Sequence, residues 1–187
     1  LIAGDSATAT ADAVATQVPI AVRIREVVQH VPAAHAAAAA DRARAADCDA
    51  IVSIGGGSAT GLAKAVALRL GIPVIAVPTT FAGSEATDVW GITDAERKTT
   101  GTDPLALPRT VVYDADLLAG LPGDLAVASG LNAMAHAIDS LWAPRADPIN
   151  RALATEGMAA LILGLRALRA APADRDAREL MLYGTYL

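Results

Sequence analysis

The stretch Ile51–Leu68, "IVSIGGGSATGLAKAVAL", carries a short apolar run into three consecutive glycines and then straight into a helical pattern. A strand that ends in a glycine turn and opens a helix suits an anion. Backbone N–H groups face outward, the missing side chains admit a phosphate, and the helix N-terminus carries partial positive charge. Ser58 adds a hydroxyl donor. The common dinucleotide fingerprint needs glycines at positions 55, 57 and 60, but position 60 is Thr60, and no Walker Lys–Ser/Thr pair follows. Taken alone, the triple glycine also fits a plain tight turn between strand and helix.

Outward from this turn the chain alternates. Leu1–Ala3 reads as the tail of a strand, and Asp5 and Ser6 open an alanine-rich helix "SATATADAVATQ". Branched residues in Ile20–Val28 predict a second strand, and Ala33–Ala46 a helix. "AIVSI" is a run of the kind buried on both faces of a parallel sheet. A helix over Ala59–Leu70 stops at Gly71, and "PVIAVP" is the next strand. This β-α-β-α-β order predicts an α/β fold, a doubly wound, mostly parallel, Rossmann-like sheet.

After Pro78 about thirty residues are polar and rich in Gly and Thr, and "VWGIT…RKTTG" within them can form a hairpin. "TVVYD" (Thr110–Asp114) supplies a last strand. From Leu117 only helical spacing remains, with Asp147–Pro148 as a helix start. The expected organisation is an α/β domain over 1–115 followed by the start of an all-helical domain over 116–187. The chain opens inside a strand and ends inside a helical pattern. The expectation is therefore a fragment lacking the extreme N-terminus and much of the helical domain.

The composition narrows the function. Of the 187 residues 53% are hydrophobic and only 3% aromatic, which favours helices packed closely on a sheet over an all-β sandwich. No apolar run approaches the roughly 20 residues that span a bilayer. The net charge of −5, with scattered Lys and Arg, argues against a nucleic-acid partner. The single Cys48 fits a reducing, cytoplasmic setting.

"PTTFAGSEAT" also follows a buried strand, so Thr79, Thr80 and Ser84 offer hydroxyls at the sheet edge that carries Gly56–Ser58. Ligands of open α/β sheets sit at that edge. "GGGSATGLAKA", "PTTFAGSEAT", "RKTTG", "YDADLLAGLP" and "ASGLNAMAHAID" stand in the order seen in the iron-containing alcohol dehydrogenase superfamily, and within it the chain resembles the maleylacetate reductases. The resemblance covers most of residues 51–150. It implies a dinucleotide-binding domain, a helical domain and catalysis in the cleft between them. It gives the pyrophosphate to Gly56, Gly57 and Ser58, the nicotinamide–ribose side to Thr79 and Thr80, and the cofactor ribose to Lys98. Asp5 falls where relatives keep an acid near the adenosine ribose. Such an acid accepts from a 2′-OH and repels a 2′-phosphate, although Asp5 could instead cap the next helix. The cofactor is NADH or NADPH.

Metal-dependent members of the superfamily hold Fe or Zn with an Asp and a His four residues later on one helix. Here the pair is Asn132 and His136, and Gly61 replaces an acid beside the cofactor. An amide is a poor substitute for a carboxylate on a divalent cation, so the resemblance implies that metal is not required. His136 is then the candidate proton donor or oxyanion partner. The implied reaction is NAD(P)H-dependent reduction of maleylacetate to 3-oxoadipate in aromatic-compound degradation, by a homodimer. One alternative is a metal-dependent alcohol dehydrogenase using His136 as a ligand, and another is a dinucleotide-binding fragment without catalysis. Arg109, Arg145 and Arg151 are candidate clamps for a dicarboxylate, while His30 and His35 are expected to be structural.

Overall fold

The computed structural model describes residues 1–95, 97–144 and 146–187. In chain order the elements are β1 (Ile2–Ala3), α1 (Thr8–Gln17), α2 (Ala33–Ala45), β2 (Ile51–Gly55), α3 (Gly57–Leu70), β3 (Val74–Pro78), β4 (Val89–Asp94), β5 (Arg97–Thr102), β6 (Thr110–Val111), α4 (Gly123–Ser140), α5 (Pro148–Ala170) and α6 (Arg175–Tyr186). They form two compact units, Leu1–Thr79 with Ser84–Val112, and Thr80–Gly83 with Tyr113–Leu187.

The first unit holds a parallel sheet in the order β1-β2-β3-β6. The strand expected over Ile20–Val28 does not form. Only Ile24 joins the sheet, as an isolated parallel bridge to Ile2, with Ala3 N–H donating to Ile24 O at 3.1 Å and Ile24 N–H to Leu1 O at 2.9 Å. The reason is that β1 offers two residues to pair with, while the flanking charges turn elsewhere: Arg23 pairs with Asp12 and Glu26 with Arg42. That single bridge still fixes the topology. The chain goes from β1 to one side at Ile24, then returns to the other side of β1 for β2. This is a doubly wound order with its switch point between β1 and β2.

The segment expected as a strand over Thr110–Asp114 pairs only at Thr110–Val111. Asp114 leaves the strand because its carboxylate caps a following 3-10 turn, accepting from Asp116 N–H at 2.9 Å. Alanines 36, 39, 40 and 43 of α2 are buried in the same core as Leu62 and Val66 of α3, with Ile2, Ile24, Ile51 and Val74 from the sheet. Side chains this small let the two helices approach closely, as the alanine-rich composition foretold. β4 and β5 make a separate antiparallel hairpin.

In the second unit α4, α5 and α6 enclose Phe81, Ala133, Leu161, Met181 and Leu182. Asp147 caps α5 as the sequence suggested, accepting from Ile149 N–H and Asn150 N–H at 2.8 Å each. α5 and α6 touch through glycine: a Cβ on Gly184 would stand 2.8 Å from Gly157 O. Among the described residues no helix is long and apolar enough to cross a membrane.

Candidate functional site

The glycine turn is built by geometry that only glycine tolerates. Gly55 has φ +150°, and a Cβ there would lie 2.8 Å from the Cβ of Ala59. Gly56 is extended and its carbonyl accepts from both Ala59 N–H and Thr60 N–H, at 3.1 and 3.2 Å. α3 therefore starts at Gly57, two residues before the expected start, and the N–H groups of Gly57 and Ser58 precede its first internal bonds. The sheet register aligns this turn with two others. Ala3 pairs with Ile54 and Ile54 with Val77. Two residues beyond each of these stand Asp5, Gly56 and Thr79, at the carboxyl edge of neighbouring strands. Thr79 N–H also donates to Gly55 O at 3.1 Å.

Asp5 is exposed and begins a 3-10 turn, Asp5–Ala7. It caps neither this turn nor α1: the N-cap of the turn is Gly4 and that of α1 is Ala7, neither with a side-chain bond. Ser84 opens the 3-10 turn Ser84–Ala86, and its Oγ is shielded from solvent without a hydrogen-bond partner among the described residues. Lys98 lies exposed on β5, opposite Thr93.

Sequence reasoning missed Lys64. It is 1% exposed, one of the most buried side chains of the first unit. Its Nζ donates to Thr87 O at 2.7 Å, Val89 O at 2.8 Å and Thr87 Oγ1 at 3.2 Å, so α3 grips the segment that leads into β4. Burial pushes its pKa down to about 8, against the pull of Glu85 and Asp88. A lysine flanked by "LA" and "AVAL" is the one sequence sign of it.

Gly61 is closed off as well. A Cβ there would stand 2.9 Å from Val31 Cγ2. Val31 is 5% exposed and sits at φ 47°, directly after His30 at φ 65°. A branched residue in that region is a strained exception. So the place where an acid was expected in metal-dependent relatives is occupied here by a valine held in a forced turn.

The second unit places Thr80, Asn132 and His136. Thr80 begins a short segment that three side chains lash down. Phe81 N–H donates to Ser129 Oγ at 3.2 Å, Thr185 Oγ1 to Phe81 O at 3.4 Å, and Asn132 Nδ2 to Ala82 O at 3.2 Å. Phe81 itself is 1% exposed. His136 lies one turn beyond Asn132 on α4 with its ring on the exposed surface, and its carbonyl accepts from Ser140 Oγ at 2.9 Å. Among the described residues no group of three His, Cys, Asp or Glu side chains could hold a metal ion. The pair on α4 offers one imidazole and one amide, and the Nδ2 of that amide donates to Ala82 O; an amide is a weaker partner than a carboxylate for a divalent ion.

Arg109 is exposed. Arg151 Nε donates to Leu141 O at 3.1 Å. The ring of His35 meets Glu26 O, and Arg145 lies outside the described residues.

Comparison with known proteins places this geometry. Residues 1–115 match the family described as iron-containing alcohol dehydrogenase, and residues 126–187 the family's C-terminal region. A maleylacetate reductase of Sphingobium indicum is 50% identical over 162 residues, 87% of this chain and 46% of that protein. A second, from Cupriavidus pinatubonensis, is 48% identical over 86% of this chain and 45% of its own length. The chain thus spans about half the length of the curated relatives it matches. Among solved structures, an iron-containing alcohol dehydrogenase of Corynebacterium glutamicum superposes with TM-score 0.95 at 50% identity, covering 99% of this chain and 52% of that one. A maleylacetate reductase of a Rhizobium species gives 0.94 at 42% identity, covering 99% and 53%. The glycine turn, the doubly wound sheet and the helices that follow are those of a known lineage, and the chain belongs to the iron-containing alcohol dehydrogenase family.

Proposed function

We propose that the protein uses NADH or NADPH to reduce maleylacetate to 3-oxoadipate, a late step in breaking down aromatic compounds. The high identity to maleylacetate reductases carries this reading. The glycine turn supports the cofactor, because Gly55 at φ +150° packs the turn tightly on Ala59 and the Gly57 and Ser58 N–H groups at the start of α3 suit a pyrophosphate. Gly56, Gly57 and Ser58 would hold the pyrophosphate, Thr79, Thr80 and Ser84 the nicotinamide side, and Lys98 and Asp5 the riboses. A bound reduced nicotinamide supplies hydride.

The substrate is an alkene conjugated with a ketone. Its reduction adds hydride to the carbon β to the ketone and a proton to the α carbon, through an enolate whose charge must be stabilised. His136 is the proposed proton donor or oxyanion partner, with an exposed imidazole free to meet a ligand. Asn132, the other catalytic candidate, donates its amide to Ala82 O and would hold the Phe81–Ala82 backbone in place.

Metal is the finer question. The family's own description is iron-containing, which runs against the expectation of a metal-free reaction. The donor set of α4 favours that expectation in this chain. A metal-dependent alcohol dehydrogenase therefore stands as the second reading, and a dinucleotide-binding chain without turnover as the third. The reading also carries a homodimer and a cytoplasmic setting, for which the lone Cys48 is the compositional support. Following NADH absorbance with maleylacetate and with simple aldehydes separates the readings. Consumption with maleylacetate is the expected result, and consumption with aldehydes alone overturns it.

A further inference from the structure

We infer that Thr93 is a positioning residue for Lys98, holding the β4–β5 hairpin against the strained His30–Val31 turn so that the Lys98 ammonium has a fixed place over Gly91. The inference rests on the proposed dinucleotide site and adds to it the residues that aim one of its ligands.

Thr93 makes two bonds to that turn. Its Oγ1 donates to His30 O at 2.8 Å and its N–H to Val31 O at 3.0 Å, and Pro32 bridges to it in parallel. Two neighbouring carbonyls reach one threonine because His30 and Val31 both take positive φ, 65° and 47°. The turn is itself braced on α3, where Val31 Cγ2 fills the space a Cβ on Gly61 would need. Helix, turn and hairpin therefore form one continuous chain of contacts within the first unit.

The hairpin register carries that brace to Lys98. Thr93 stands directly opposite Lys98. Because Thr93 N–H points outward to Val31, the two are a pair without mutual backbone bonds, the arrangement that brings opposite side chains closest. Directly opposite residues share a face, so Lys98 lies on the face that Thr93 turns toward His30. Gly91, two residues before Thr93, is on the same face and leaves room for the lysine stem. A Cβ on Gly91 would stand 3.0 Å from Lys98 Cε and 3.9 Å from Nζ. An exposed lysine ordinarily samples many rotamers. This one is bounded by Thr93 on one side and laid over a glycine on the other.

The test is fluorescence titration of NADH into wild type, T93V, T93S, K98A and the T93V/K98A double variant. T93V keeps the volume and the backbone bond but loses the hydroxyl. T93V and K98A are each expected to weaken NADH binding roughly fivefold to tenfold, T93S to restore wild-type affinity, and the double variant to bind no worse than K98A. A purely structural threonine would instead add its loss to that of K98A. G91A displaces the Lys98 stem without touching Thr93 and is expected to weaken binding as well, which keeps the test decisive if T93V unfolds. Additive losses, or a T93V that binds like wild type, overturn the inference while leaving the cofactor site standing. So does a K98A that binds normally. Absence of NADH binding by wild type overturns the cofactor reading and this inference with it.

Discussion

The side-chain amide of Asn132 donates to the backbone carbonyl of Ala82 at 3.2 Å, from the helix position where metal-dependent relatives were expected to present a carboxylate. A carboxylate cannot do this. At the same place it has no proton to give and would set two oxygens against each other. In this chain the position supplies a fastening for the segment that begins at Thr80.

Asn132→Asp is accordingly expected to destabilise the protein by about 1 kcal/mol, the worth of one partly exposed hydrogen bond. That corresponds to a drop of roughly 2–4 °C in Tm for a chain of this size, measured by differential scanning calorimetry at neutral pH. An unchanged Tm would show that Ala82 does not depend on the amide.

Gly61→Ala is expected to cost more than its helix propensity would suggest. Alanine is the better helix former by about 1 kcal/mol, yet its Cβ would press on Val31 Cγ2 at 2.9 Å in a turn already strained. The predicted outcome is a lower denaturation midpoint for G61A, recovered in the G61A/V31A double variant relative to V31A alone. A stabilised G61A would mean that the His30–Val31 turn yields freely.

Lys64→Met tests the buried ammonium through its pH dependence. Folded, Lys64 loses its proton near pH 8, whereas in the unfolded chain it holds it to about pH 10.4. Between those values the unfolded state binds more protons, so stability contributed at this site rises with pH. The difference in unfolding free energy, wild type minus K64M, should therefore increase from pH 8 to pH 10 in urea titrations. A flat difference would return Lys64 to an ordinary lysine pKa.

Much of this was legible in residues with strong local preferences. Asp147 before Pro148 set a helix start, Gly71 a left-handed stop at φ 71°, and the triple glycine the turn that opens α3. These features act over a few residues, so a sequence displays them. The Ile20–Val28 segment misled because branched residues report a preference for extension, while strand formation depends on the length of the partner, and β1 is two residues long. Asp5 looked like a cap because of its place before a helix, but a 3-10 turn intervenes. Lys64, Val31 and Thr93 were invisible for another reason. Their roles come from partners more than twenty residues away, and no periodicity records such a meeting.

The proposed function is a hydride transfer to maleylacetate that does not depend on a metal. The most direct measurement is the rate of NADH oxidation by the protein with maleylacetate, before and after exhaustive dialysis against a strong chelator. Equal rates in the two samples and no increase on adding Fe²⁺ or Zn²⁺ are the expected result. Loss of turnover on chelation, restored by either ion, would contradict it.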